Sequence, residues 1–187
     1  MMTAIYIIVI LLQVAVIIYF IRRGRKQRAA QKPSGGDANQ NDLRWTSLNV
    51  TPAQLKIKIP DSETIVYGVV MDWSMEGSVV TLVCFITGAA NMYLSTGGGI
   101  QGGGKNPSVG EAASELVTMA QNYVNRAVPT ATFDMPPEGY IRFYLLTNHN
   151  KLAAQEQIVD IDNGSSPWLG LFEKANEVIT EMRAVLN

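Results

Sequence analysis

The sequence predicts an α+β domain, with one antiparallel sheet of about five strands covered on a face by two amphipathic helices, standing behind an N-terminal transmembrane helix. Three observations carry this. Residues 64–73, 78–87 and 91–95 are rich in β-branched and aromatic side chains and are separated only by short turn-like stretches. They must be antiparallel neighbours, because a parallel crossover takes about a dozen residues or more. From Ser108 onward the apolar period changes: Ala112, Ala113, Leu116, Val117, Ala120, Tyr123, Val124 and Ala127 recur at three- and four-residue intervals, which makes one stripe on a helix. Residues 1–21 contain no charged side chain.

That opening run, interrupted only by Thr3 and Gln13, spans roughly 30 Å as a helix, the thickness of a bilayer core. Tyr6, Tyr19 and Phe20 are placed for its two interfaces. Arg22, Arg23, Arg25, Lys26 and Arg28 follow at once, and no positive charge precedes the run. This fits an uncleaved anchor better than a removed leader. The basic block is expected at the membrane interface, which puts the C-terminal domain on the cytoplasmic side of a single-pass inner-membrane protein. Residues 22–42 read as this juxtamembrane stretch and a polar linker, and 43–187 as the soluble domain.

Taken in order, residues 43–60 carry Trp45, Leu48, Val50 and Leu55, then the alternation Lys56-Ile57-Lys58-Ile59. They suggest a helical or extended lead-in with one edge strand. The three strands come next, with Ser74-Met75-Glu76-Gly77 as a hairpin loop. Ser108 is placed to cap the first long helix, with Glu111 completing a capping box, and Pro129 must end that helix. Residues 140–147, Tyr-Ile-Arg-Phe-Tyr-Leu-Leu-Thr, form a fourth strand, and 152–159 a more polar fifth one. Ser166-Pro167 opens the last helix, whose stripe is Leu171, Phe172, Ala175, Val178, Ile179, Met182, Val185 and Leu186.

The formal charge of −1 is unevenly spread: from Leu43 on, nine Lys and Arg face 14 Asp and Glu, a net of −5. Such a domain lacks the basic face that nucleic acid requires. Cys84 is the single cysteine, which fits a reducing compartment.

Six glycines fill an eight-residue span: Gly97, Gly98, Gly99, Gly102, Gly103 and Gly104. Ordering them costs much backbone entropy and adds little to a core. Either they serve as a connector between strand and helix, or their amides, with Lys105 and Ser108 at the helix start, bind an anion or a partner's backbone. Gly99 to Lys105 satisfies G-x-x-x-x-G-K, but Asn106 stands where a phosphate-binding loop needs Ser or Thr. The setting is also an antiparallel meander rather than a βαβ unit. Cys84, in an apolar strand, reads as a core residue rather than as the nucleophile of a Cys84–His149 pair, and the spacing of Asp72, Asp134, Asp160 and Asp162 matches no calcium loop. No cofactor or metal is expected.

The segment from Met92 to Gly104 with its following Ala-rich helix, and Arg142-Phe-Tyr-Leu-Leu-Thr147, resembles a group of bacterial proteins of no assigned function, over about 120 residues. The resemblance supplies no catalytic residues. The element order is similar to profilin-like and roadblock-like folds, which implies a binding or scaffolding module. The leading expectation is a membrane-anchored module that binds a protein partner or a small anionic ligand, with pairing to a second copy of the chain open. The alternative is a tethered enzyme acting on a phosphorylated or carboxylated small molecule, with Lys105 and Arg142 as its charges.

Overall fold

The computed structural model describes residues 36–185. The expected anchor at 1–21 and the basic block Arg22–Arg28 lie outside them. Among the described residues no helix is long and apolar enough to cross a membrane.

The fold is α+β with a seven-stranded antiparallel sheet. After helix α1 (Gly36–Leu48) come β1 (Val66–Met75), β2 (Ser78–Phe85), β3 (Ala90–Leu94) and the two-residue β4 (Gly99–Ile100). A short 3-10 turn, Gly103–Lys105, leads into α2 (Pro107–Ala120), which tightens to 3-10 over Gln121–Arg126. The two-residue β5 (Val128–Pro129) precedes β6 (Tyr140–Thr147) and β7 (Lys151–Gln157). The chain ends in α3 (Ile158–Asp162) and α4 (Leu169–Ala184). Strand order is β4-β3-β2-β1-β6-β7-β5. The five long strands are the expected ones, and the two additions are short edges, which present little unpaired backbone.

The β1–β2 turn is tighter than expected. Met75 pairs with Ser78, leaving only Glu76 and Gly77, both at positive φ (48° and 72°), the conformation of a two-residue hairpin whose twist matches its strands.

As far as Ala120 and Met182 the two stripes read from the sequence meet one face of the sheet, whereas Val185, expected on the second stripe, is exposed. α2 buries Val109, Ala112, Ala113, Leu116, Val117 and Ala120; α4 buries Leu171, Phe172, Ala175, Val178, Ile179 and Met182. Opposite them stand Val69, Met71, Trp73, Leu82, Cys84, Ile141, Phe143 and Leu145. Trp73 meets Phe172 edge-on at 5.2 Å, and Trp168 stacks on Phe143 at 5.3 Å. Trp73 and Trp168 are therefore core residues. A large apolar side chain taken fully out of water contributes roughly 1.5–3 kcal/mol. Lys174 Nζ joins the helices through Glu115 at 2.6 Å.

The opposite face is covered too. α1 begins at Gly36, inside the stretch expected as linker, and α1 with residues 49–60 lies over a second cluster of Tyr67, Val70, Val83, Phe85, Tyr93, Tyr144 and Leu146. Leu48 is fully buried there, and Leu55, Ile57 and Ile59 pack against it. The alternation Lys56-Ile57-Lys58-Ile59 is thus not an edge strand: it crosses the sheet as irregular chain, isoleucines inward and lysines exposed.

Two more boundaries differ. Asn106, not Ser108, caps α2: its Oδ1 accepts the Ser108 N–H at 3.1 Å and Pro107 takes the first helical position. Proline needs no amide partner there, so the cap sits just before it. At α4, Ser166 acts earlier than a direct cap, its Oγ accepting the Trp168 N–H at 3.0 Å.

Candidate functional site

Each of the six glycines has a local reason. Gly97, Gly98, Gly99 and Gly102 hold φ of 103°, 93°, 152° and 69°, values that side-chain-bearing residues rarely adopt. Gly103 and Gly104 are held by close approach. A Cβ on Gly103 would stand 2.9 Å from Met182 Cε, and one on Gly104 only 2.0 Å from the Gly88 carbonyl oxygen. Gly110 on α2 is in tight but lesser approach, its Cβ position 3.2 Å from the Gly104 oxygen. The tract is a junction at which strand turn, helix start and the β2–β3 turn touch through backbone.

Hydrogen bonds fix the same loop from beneath. Leu94 N–H donates to the Gly98 carbonyl at 3.1 Å, and Gly97 N–H to the Leu94 carbonyl at 2.9 Å. Gly102 N–H donates to Asn91 Oδ1 at 2.8 Å, and Lys105 and Asn106 donate back to Gly102 and Gly103. Outward, Ser95, Gly98, Gly99, Gln101, Gly102 and Lys105 remain exposed.

At the start of α2 the place suited to an anion already holds one of the chain's own. Ser108 Oγ donates to Glu181 Oε2 at 2.6 Å, bringing a carboxylate from α4 to a helix N-terminus, where negative charge is favoured. Arg142, the envisaged second contact for an anion, is not brought here. It lies on β6, four strands from β4 and so roughly 19 Å across the sheet, where its guanidinium donates to Gln155 and to the Asp134 carbonyl.

The other candidates disperse. Asp72 is fully buried while Asp134 is exposed and Asp160 and Asp162 lie in α3. Among the described residues no three His, Cys, Asp or Glu are grouped to hold a metal ion. Cys84 is fully buried on the helix-covered face, whereas His149 is exposed in the β6–β7 turn. Burial pushes the Cys84 thiol far above its ordinary pKa, which suppresses the thiolate needed for nucleophilic chemistry. In the native protein a maleimide or iodoacetamide reagent should leave Cys84 unmodified, with labelling appearing only in denaturant. Rapid native labelling would contradict the packing.

A polar centre that the sequence reading missed lies under α1. Arg44, 7% exposed, forks onto the fully buried Asp72, with Nη2 2.6 Å from Oδ2 and Nε 2.9 Å from the same oxygen. Thr81 Oγ1 donates to Asp72 Oδ1 at 2.6 Å, and Arg44 Nη1 donates to the Phe133 carbonyl at 2.9 Å. The guanidinium also lies 5.6 Å from the centroid of the Tyr144 ring. Burial works against the charge on Arg44, but the Asp72 hydrogen bond and charge outweigh it and hold its pKa above the ordinary value. The signal was present: an aspartate in the unbroken apolar run Val-Val-Met-Asp-Trp of a central strand needs a buried partner.

Compared with protein-family models, with curated proteins and with solved structures, this chain finds no match.

Proposed function

We propose that the chain is a single-pass, membrane-anchored binding module whose domain works on the cytoplasmic side and engages a protein partner through its glycine loop. One observation carries this: the loop is exposed on its outer rim yet pinned from below by hydrogen bonds and backbone contacts. Ordering backbone costs roughly 1–2 kcal/mol per residue. Here folding has already met that cost, so a partner docks on a surface that loses little further freedom. The carboxylate of Glu181 at the start of α2 favours a protein surface over a free small anion as the ligand. The element order, similar to profilin-like and roadblock-like folds, fits a binding role, and the apolar leader followed by five basic residues supports the anchor.

The test uses the full chain extracted from membranes in mild detergent. A protein partner should co-purify in fixed stoichiometry, and Lys105→Glu, an exposed change, should reduce its retention while leaving the unfolding temperature unaltered. Undiminished retention in that variant would remove the loop from the interface. Turnover of a phosphate ester by the wild type, abolished in Lys105→Ala, would replace the module by an enzyme.

A further inference from the structure

Trp45 is 58% exposed on α1, while the other two tryptophans, Trp73 and Trp168, are 3% and 2% exposed. Its ring lies edge-on to Phe133 at 5.6 Å. Along the chain the charges are sorted by sign, with the exposed Asp134, next to Phe133, as the acidic exception on this side. From Leu43 to Pro60 the chain has Arg44, Lys56 and Lys58 and no acidic residue, whereas residues 61–187 hold six Lys and Arg against 14 Asp and Glu, a net of −8. Arg44 is turned inward onto Asp72, and Lys56 and Lys58 point to solvent. Lys151 joins this side from β7, its Nζ 2.7 Å from Asn49 Oδ1 and 4.8 Å from the centroid of the Phe133 ring. Asp42 and Asp61 bracket the basic stretch.

We propose that this cover of the second sheet face is a surface that lies on an anionic bilayer, with Trp45 seated at the headgroup level and Lys56, Lys58 and Lys151 facing the lipid phosphates. Tryptophan favours the membrane interface, and lysines near an anionic leaflet are drawn to it. The strongly acidic remainder is repelled by the same leaflet, so the charge asymmetry orients the domain. Chain continuity agrees: α1 begins 15 positions after Ile21, a reach of at most about 50 Å. This last argument rests on the anchor reading; the aromatic and charge arguments do not.

The full chain is reconstituted in vesicles of phosphatidylcholine alone or with phosphatidylglycerol, with bromine on the acyl chains as a quencher. A Trp45→Phe chain supplies the background from the two buried tryptophans. Trp45 emission should move to shorter wavelength and be quenched in the anionic vesicles. Lys56→Gln and Lys58→Gln should each lower the equilibrium constant for docking, the ratio of quenched to unquenched Trp45, about fivefold, the equivalent of about 1 kcal/mol per lysine. A chain that floats with vesicles and resists alkaline extraction, yet keeps Trp45 unquenched, overturns the surface and leaves the anchor standing. A chain released by alkali whose Trp45 is still quenched on anionic vesicles upholds the surface and rejects the anchor. Protection of Trp45 by a soluble protein in place of lipid overturns the proposal and makes the patch a protein interface.

Discussion

Arg44→Met lowers the unfolding free energy of the domain by about 3–5 kcal/mol, the cost of leaving a buried carboxylate without its partner. Asp72 is fully buried and Arg44 supplies two of the donors it accepts from. Thr81 remains after the change, but a single hydroxyl does not neutralise a charge. Because the lost interaction joins α1 to the centre of β1, the damage should be localised. Backbone amides of α1 should exchange with solvent far faster, while those of α2 and α4 keep their order of protection until global unfolding. The double variant Arg44→Met/Asp72→Asn removes the stranded charge while retaining an acceptor for Thr81, and should recover part of the loss. Denaturant unfolding followed by circular dichroism measures both. A single variant within about 1 kcal/mol of wild type would mean that α1 is held by its apolar contacts alone.

The helix-bearing half of this fold was legible because its signal is periodic and local. The stripes from Ala112 to Ala120 and from Leu171 to Met182 face the core as their spacing requires. Strands β1, β2 and β6 were legible from β-branched runs between turns. The second layer was not, because residues 43–60 have no such period. Leu48, Leu55, Ile57 and Ile59 become a cover only once a sheet exists for them to lie on. The composition of β1 nonetheless held a clue. Its residues are buried on both faces along nearly the whole strand, and a strand with one wet face would alternate polar and apolar side chains rather than run Val-Tyr-Gly-Val-Val-Met. The Asn106 cap was obscured by a competing Ser108–Glu111 pattern that satisfied the same rule two residues later. At the glycine tract, sequence exposed the need for positive φ or close approach, but the partner in that approach, Gly88, lies in another turn and is invisible without the fold.

That distinction makes Gly104→Ala the decisive change at the loop. Its Cβ would stand 2.0 Å from the Gly88 carbonyl oxygen and 3.0 Å from Ala89 Cα, both backbone atoms that no rotamer can move aside. The β2–β3 turn and the 3-10 turn must separate, at a cost of about 1–3 kcal/mol. Gly77→Ala is the control: φ is 72° there, but nothing lies within 4 Å of the added carbon, so only local backbone strain of roughly 1–2 kcal/mol is expected. The two should also differ in reach. Gly104→Ala should shift backbone amide resonances at Gly88, Gly110 and the start of α2 together and weaken retention of the partner, whereas Gly77→Ala should disturb its own hairpin alone. If Gly104→Ala folds with wild-type stability and undisturbed neighbours, backbone packing is not what selects glycine there. Close approach of a ligand to the amides would then become the better account of the tract.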